Sequence, residues 1–219
     1  MMYNELFVFW TGDNPISVNR EEAMASLREE SEMPITLVTP DNLSDYIIDD
    51  IHPAYRYLSN VHKSDYLRAY FMHHHGGGYS DMKPASGSWK AAFERLNKST
   101  AWVSGYRELG SNVVAECTGN PQMREKLRRQ YRKLIGCCSF ICKPHTEFTE
   151  EWLSIVEGLL TEYHIKLSWN PGNIMGDNPG YPLAWTQIMG DVFHPLILKY
   201  HDKVIYDSSV MPNLNLEYR

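Results

Sequence analysis

Residues 62–84, HKSDYLRAYFMHHHGGGYSDMKP, hold the densest set of groups able to do chemistry. Asp65 and Arg68 stand three residues apart in a stretch with helical apolar spacing, Leu67, Tyr70, Phe71 and His74 falling at i, i+3, i+4 and i+7. On a helix, positions i and i+3 lie about 60° apart, whereas Leu67 points about 160° away from Asp65. An acid and a base therefore share a polar face able to look into a cleft. Gly76-Gly77-Gly78 stops the helix, and a short strand at 78–80 delivers Asp81 at its carboxyl end. In open α/β sheets, ligands bind outside the carboxyl ends of the strands, where strand order reverses. A carboxylate there either ligates a hard divalent cation, Mn2+ or Mg2+, whose remaining ligands are waters and a diphosphate, or is a plain turn aspartate.

The elements that must position these groups follow from apolar patterning. Residues 6–10 and 34–39 read as buried strands, the second β-branched and ended by Pro40. A helix between them is capped by Asn19 with Glu22 three residues on, and Ala23, Met24 and Leu27 form its apolar face. Strand, helix and strand make a βαβ unit with parallel strands and a right-handed crossover. Ser64 reads as the N-cap of the next long helix. Further on, the pattern predicts helices at 89–96, 122–134 and 149–163 and strands at 101–104, 112–115 and 138–141. The expected fold is α/β, a Rossmann-like, mostly parallel central sheet flanked by helices with a mixed C-terminal half. A single domain is expected over 1–219, with 1–83 its nucleotide-binding half and 84–219 its acceptor or closing half. Residues 168–182 carry three Gly and three Pro without apolar period, the mark of a binding loop or lid.

Ser64-Asp65-x-x-Arg68 followed by Gly-Gly-x-Tyr79-x-Asp81-x-Lys83 resembles the SD-x-x-R and GG-x-Y-x-D-x-D signature of GT-A glycosyltransferases. That group takes in Golgi initiating mannosyltransferases, capsular-polysaccharide synthesis proteins and glucosylating toxins. Trp10, in FVFWTG, is similar to the tryptophan that ends their first strand. The resemblance spans residues 10–83 and implies a GT-A-like fold that moves a sugar from a UDP-sugar donor to a glycan acceptor with Mn2+ or Mg2+. It implies that Trp10 and Thr11 contact the nucleobase, and that Ser64 and Asp65 hold ribose or donor hydroxyls. Arg68 would then reach the sugar, Tyr79 pack on the donor, and Asp81 bridge ribose and metal. Lys83 departs from the pattern: an acidic ligand gives way to a cation, so the metal is retained through Asp81, diphosphate oxygens and a late histidine, or the ammonium replaces part of its charge. His194 and His201 are the candidates for that histidine, set against a plain structural role for either, and His201 is the choice. Retention of configuration is implied; inversion would need a carboxylate base, for which Asp177, Asp191 and Asp207 are candidates. Two rival readings stand beside transfer: a nucleotide-sugar-binding module without turnover, and a nucleotide-sugar hydrolase.

Other features read more plainly. The consecutive His73, His74 and His75 point about 100° apart on a helix and do not converge on one ion, which suits a helix C-terminus. The run 124–133 sets six basic residues against one acid, a solvated face or a partner surface. Cys117, Cys137, Cys138 and Cys142 fit neither a disulfide framework nor zinc spacing, and read as reduced thiols. Trp169 and Trp185 are candidates to stack on a sugar ring. A net charge of −6 argues against a nucleic-acid partner, which would need a basic face. The short apolar start lacks the length of a secretory or membrane-spanning segment, so a cytoplasmic protein of a large virus or a bacterium is expected.

Overall fold

The computed structural model describes residues 4–214. Its six strands, among the described residues, are β1 (Leu6–Phe9), β2 (Ile35–Val38), β3 (Gly77–Ser80), β4 (Val103–Arg107), β5 (Ile135–Cys142) and β6 (Val204–Tyr206). They form one sheet in the order β2-β1-β3-β5-β4-β6. β1 pairs in parallel with β2 and β3, β4 in parallel with β6, and β5 runs antiparallel between β3 and β4. The expected βαβ start is therefore present. Strand order reverses on either side of β1, which places the carboxyl ends of β1 and β3 at the switch point.

Alternation along β1 sorts its side chains between two helical layers. Leu6 and Val8 join Met24 and Leu27 of α1 (Val18–Ser31) and Trp89, Phe93 and Leu96 in and around α3 (Lys90–Lys98). Phe7 and Phe9 face the other way, onto Phe71 of α2 (Asn60–His74). That second layer continues through Phe140, Trp152 and Phe193, which meet ring to ring where α5 (Glu147–Trp169) and α6 (Gly190–Lys199) cover β5. A basic helix, α4 (Pro121–Arg129), lies at the surface, where Arg124, Arg128 and Arg129 pair with Glu116 and Glu125.

Several local expectations change. Ser17, not Asn19, precedes α1, and Ser59, not Ser64, caps α2 by accepting from the His62 amide at 3.1 Å. Residues 112–115 form no strand. Their surroundings take the amides instead: Ala115 N–H donates to His194 Nδ1, and Cys117 and Thr118 donate to Asp191 of α6. The sequence pattern did not predict α6 because Pro195 interrupts it, nor β6 because three residues carry too little period to read.

The histidine run ends α2 as anticipated, against His145 and Thr149. Burial, helped by neighbouring histidines, holds the imidazoles of His73 and His74 below the ordinary histidine range, against the opposing pull of Glu150, Asp49 and Glu157 on His73 and of Asp49 on His74. The unfolded chain therefore takes up these protons first. Their contribution to stability is complete above about pH 6.5 and is lost as pH falls below it. Thermal midpoints measured from pH 7.5 to 5.5 should drop, and His73→Gln combined with His74→Gln should flatten that drop.

Candidate active site

The candidate side chains around Asp81 converge at the carboxyl edge of the sheet. β3 ends at Ser80, and its antiparallel pairing with β5 brings the Cys138 carbonyl to accept from the Asp81 amide at 2.7 Å. That tie fixes the backbone of Asp81. Its side chain then meets three donors. Oδ1 accepts from the Tyr79 hydroxyl at 2.6 Å and from Arg68 Nη2 at 3.2 Å, while Oδ2 pairs with Lys83 Nζ at 3.0 Å.

Asp65 and Arg68 lie one helical turn apart as the spacing requires, 3.3 Å between charged atoms. Their shared face is not open to water, however: Asp65 is 4% exposed, and Arg68 reaches inward to bridge Asp65 and Asp81. Arg68 Nη1 also donates to the Cys137 carbonyl at 3.2 Å, and its guanidinium lies 4.4 Å over the Tyr79 ring. Arg68 Nε has no hydrogen-bond partner among the described residues. The ring face below the guanidinium offsets part of that loss.

Electrostatics follow from this packing. Burial alone would raise the Asp81 carboxyl, but Arg68, Lys83 and the Tyr79 hydroxyl outweigh it and hold it at about 2. Burial raises Asp65 against the pull of Arg68. Burial disfavours the Lys83 ammonium, yet Asp81 and Cys138 lift it above its ordinary range. Asp81, Arg68 and Lys83 are accordingly all charged at neutral pH.

Tyr79 is 2% exposed, stacked on Phe9 at 5.4 Å and hydrogen-bonded to Asp81. It orients Asp81 from within the core, where the resemblance implied a surface for the donor. Trp10 and Thr11 follow β1 at the same edge, half-buried; Trp10 Nε1 donates to Asn14 O at 2.8 Å and Thr11 Oγ1 to Asn60 O at 2.6 Å. Thr11 thus joins the β1 exit to the start of α2.

The Gly/Pro loop sits on that helix start. The Asn60 and Val61 amides donate to Asn173 and Ile174, and Gly172 comes so close to Ser59 that a Cβ would lie 2.5 Å from its amide nitrogen. Buried His62 pins the loop from below: Nε2 faces the Trp185 carbonyl at 3.3 Å, so it carries the proton, and Nδ1 accepts from the Tyr181 hydroxyl at 2.8 Å. Trp169 and Trp185 remain exposed, 77% and 54%. The sequence pattern did not single out His62 and Tyr181, because only the fold brings them together.

The late candidates separate. His201 precedes β6, whose first residue Val204 pairs with Val103, which pairs with Cys142 opposite Gly77. It therefore stands at the amino end of β3, across the sheet from Asp81, exposed and with Nδ1 near the Leu198 carbonyl. The structure does not bring His201 to Asp81. His194 is buried against Glu108 at 3.3 Å and Cys137 at 3.4 Å. Asp191 is filled by the Cys117 and Thr118 amides and the Thr186 hydroxyl, and Asp207 by Arg95 and Ser209. Asp177 is exposed in the Gly/Pro loop and accepts from Asn173.

These residues do not fit a divalent cation. Asp81 is the metal candidate, yet both of its oxygens are engaged by positively charged side chains, and no trio of His, Cys, Asp or Glu able to hold a metal occurs among the described residues.

The parallel start, the antiparallel β5 and the site at the β1/β3 switch point define a mixed α/β fold of the GT-A-like glycosyltransferase type. In agreement, the chain is similar in structure to PaToxG glycosyltransferase, with a TM-score of 0.52, 10% sequence identity, and coverage of 90% of this chain and 69% of that one. No family model matches the chain. No curated protein matches it either. No helix among the described residues is long and apolar enough to cross a membrane.

Proposed function

We propose that this protein is a glycosyltransferase that moves a sugar from a nucleotide donor, UDP-linked, to a glycan acceptor. The observation that carries this reading is the position of Asp81, Arg68 and Asp65 at the carboxyl edge beside β1, on a GT-A-like fold. Residues up to about 83 then form the nucleotide half and the rest closes over the acceptor. In this reading Trp10 and Thr11 pack against the base, and Ser64 and Asp65 hold donor hydroxyls. Breaking the anomeric C–O bond leaves a nucleoside diphosphate and an oxocarbenium-like centre. A fixed cation facing that leaving group stabilises the transition state more than the ground state. Arg68 and Lys83 are the cations paired with Asp81 at this edge, with Tyr79 bonded to the same carboxylate. Retention of configuration accompanies this reading, as the resemblance implies; of the three candidate bases for inversion, Asp191 and Asp207 are tied into structural hydrogen bonds and Asp177 is exposed in the Gly/Pro loop.

The saturated Asp81 carboxylate favours a second reading, a module that binds nucleotide sugars without turnover. One experiment separates them. Incubation with UDP-sugars, with and without oligosaccharide acceptors, should yield UDP and a glycosylated product. Tight UDP binding with no UDP release from any donor would leave the module, and sugar release indifferent to acceptor would indicate a hydrolase. A screen of UDP, GDP, ADP and CDP by thermal shift should show a response to UDP, since a ligand that binds only the folded chain raises apparent stability.

A further inference from the structure

Resting on the donor reading above, we infer that nucleotide binding at this edge is independent of divalent metal, with the Lys83 ammonium standing as a built-in cation where such an ion would sit. The argument is one of charge and of occupied lone pairs. Asp65 and Asp81 bring two carboxyls to the cluster, and Arg68 and Lys83 two cations, each within ion-pair distance of a neighbour. With both carboxyls ionised, these four groups sum to zero. A divalent cation at Asp81 would bring two uncompensated positive charges beside a guanidinium and an ammonium, in surroundings too buried to screen them. An acid at position 83 would instead leave the cluster two charges short of neutrality, the deficit that one divalent ion fills. Lysine at that position changes the sum by the same amount.

The ammonium is held rather than adventitious. Lys83 is 7% exposed, its Nζ lies 3.0 Å from Asp81 and 2.9 Å from Cys138 Sγ, and its amide donates to the Asp81 carbonyl at 2.7 Å. The chain beyond it is anchored as well: the Pro84 carbonyl accepts from Asn213, and Ala85 bridges Pro212. A magnesium or manganese ion prefers several oxygen ligands near octahedral geometry, and a carboxylate already shared by Tyr79, Arg68 and Lys83 offers it little. Lysine serves anionic phosphates as a point charge in other settings, so the chemistry of the leaving group is met without the ion.

The test uses the full chain and UDP as probe, with thermal shift and calorimetric titration each run in EDTA and in Mn2+. Wild-type protein should bind UDP with the same affinity in both, and Mn2+ alone should not move its thermal midpoint. Lys83→Asp should lose the UDP response in EDTA and regain it in Mn2+. A wild-type response to UDP that vanishes in EDTA and returns with Mn2+ overturns the inference while leaving the donor reading intact; this arm needs no variant. Absence of response to any nucleoside diphosphate in either buffer removes the donor reading, and the inference with it.

Discussion

Asp81→Asn should lower sugar transfer by about 100-fold or more and destabilise the protein by about 3 kcal/mol, the lower end of what breaking a buried ion pair costs. Two effects combine. The neutral amide no longer balances Arg68 and Lys83, whose side chains are 12% and 8% exposed, so two buried cations lose the carboxylate they share, while Asp65 stays paired with Arg68. The amide also replaces the acceptor of the short Tyr79 hydrogen bond by a weaker one, loosening the residue that holds the carboxylate from below. Stability and activity can be pulled apart with a second substitution. Lys83→Met in the Asp81→Asn background removes one of the stranded charges, so the urea midpoint should recover part of its loss. Transfer should not recover, because the double variant also lacks the ammonium proposed to face the leaving group. A double variant that regains activity along with stability would show that Asp81 acts only as a structural counter-ion.

How far this site was legible in the sequence depends on the range of the contact. The Asp65–Arg68 pair is local, set by helical geometry, and its spacing sufficed to place both on one face. Asp81 was legible because a glycine run, a four-residue strand and a carboxylate follow one another directly. Its partners were not. Cys138 reaches Asp81 through the register of an antiparallel strand more than fifty residues on, and that β5 runs antiparallel there is a property of the whole sheet. Lys83 was visible as a departure from an acidic pattern, but its turn back onto Asp81 required the geometry. His201 failed for the same reason in reverse. Its residue type suited a ligand, and the strand order carried it to the far end of the sheet. The doubly wound start and both of its parallel strands were readable from apolar runs, whereas α6 was hidden by Pro195 and β6 by its length.

The glycine run that opens β3 offers the sharpest test of how the fold positions the site. Gly77 has φ +84°, and an added Cβ would lie 2.7 Å from the Glu5 carbonyl oxygen. That oxygen is itself committed, accepting from the Gly78 amide at 2.8 Å where β1 and β3 begin to pair. Gly77→Ala therefore carries two penalties. The dihedral one is about 1–2 kcal/mol for a residue with a Cβ in the left-handed region. The other comes from pushing two paired strands apart, because backbone cannot rotate away as a side-chain tip can. Gly119→Ala supplies the control: its φ is also +84°, and nothing lies within 4 Å of the added Cβ. Gly119→Ala should cost about 1 kcal/mol and Gly77→Ala about 3 kcal/mol or more, a difference of roughly 4–8 °C in thermal midpoint for a chain of this size. The same shift would travel along four residues of strand to Asp81, and a displacement of about 1 Å in a reacting constellation costs about 100-fold in rate. Gly77→Ala should thus lose activity even at temperatures where it is folded, while Gly119→Ala should not. Equal midpoints for the two variants would mean that the dihedral alone accounts for the glycine, and that the approach of Glu5 to β3 does not set the position of Asp81.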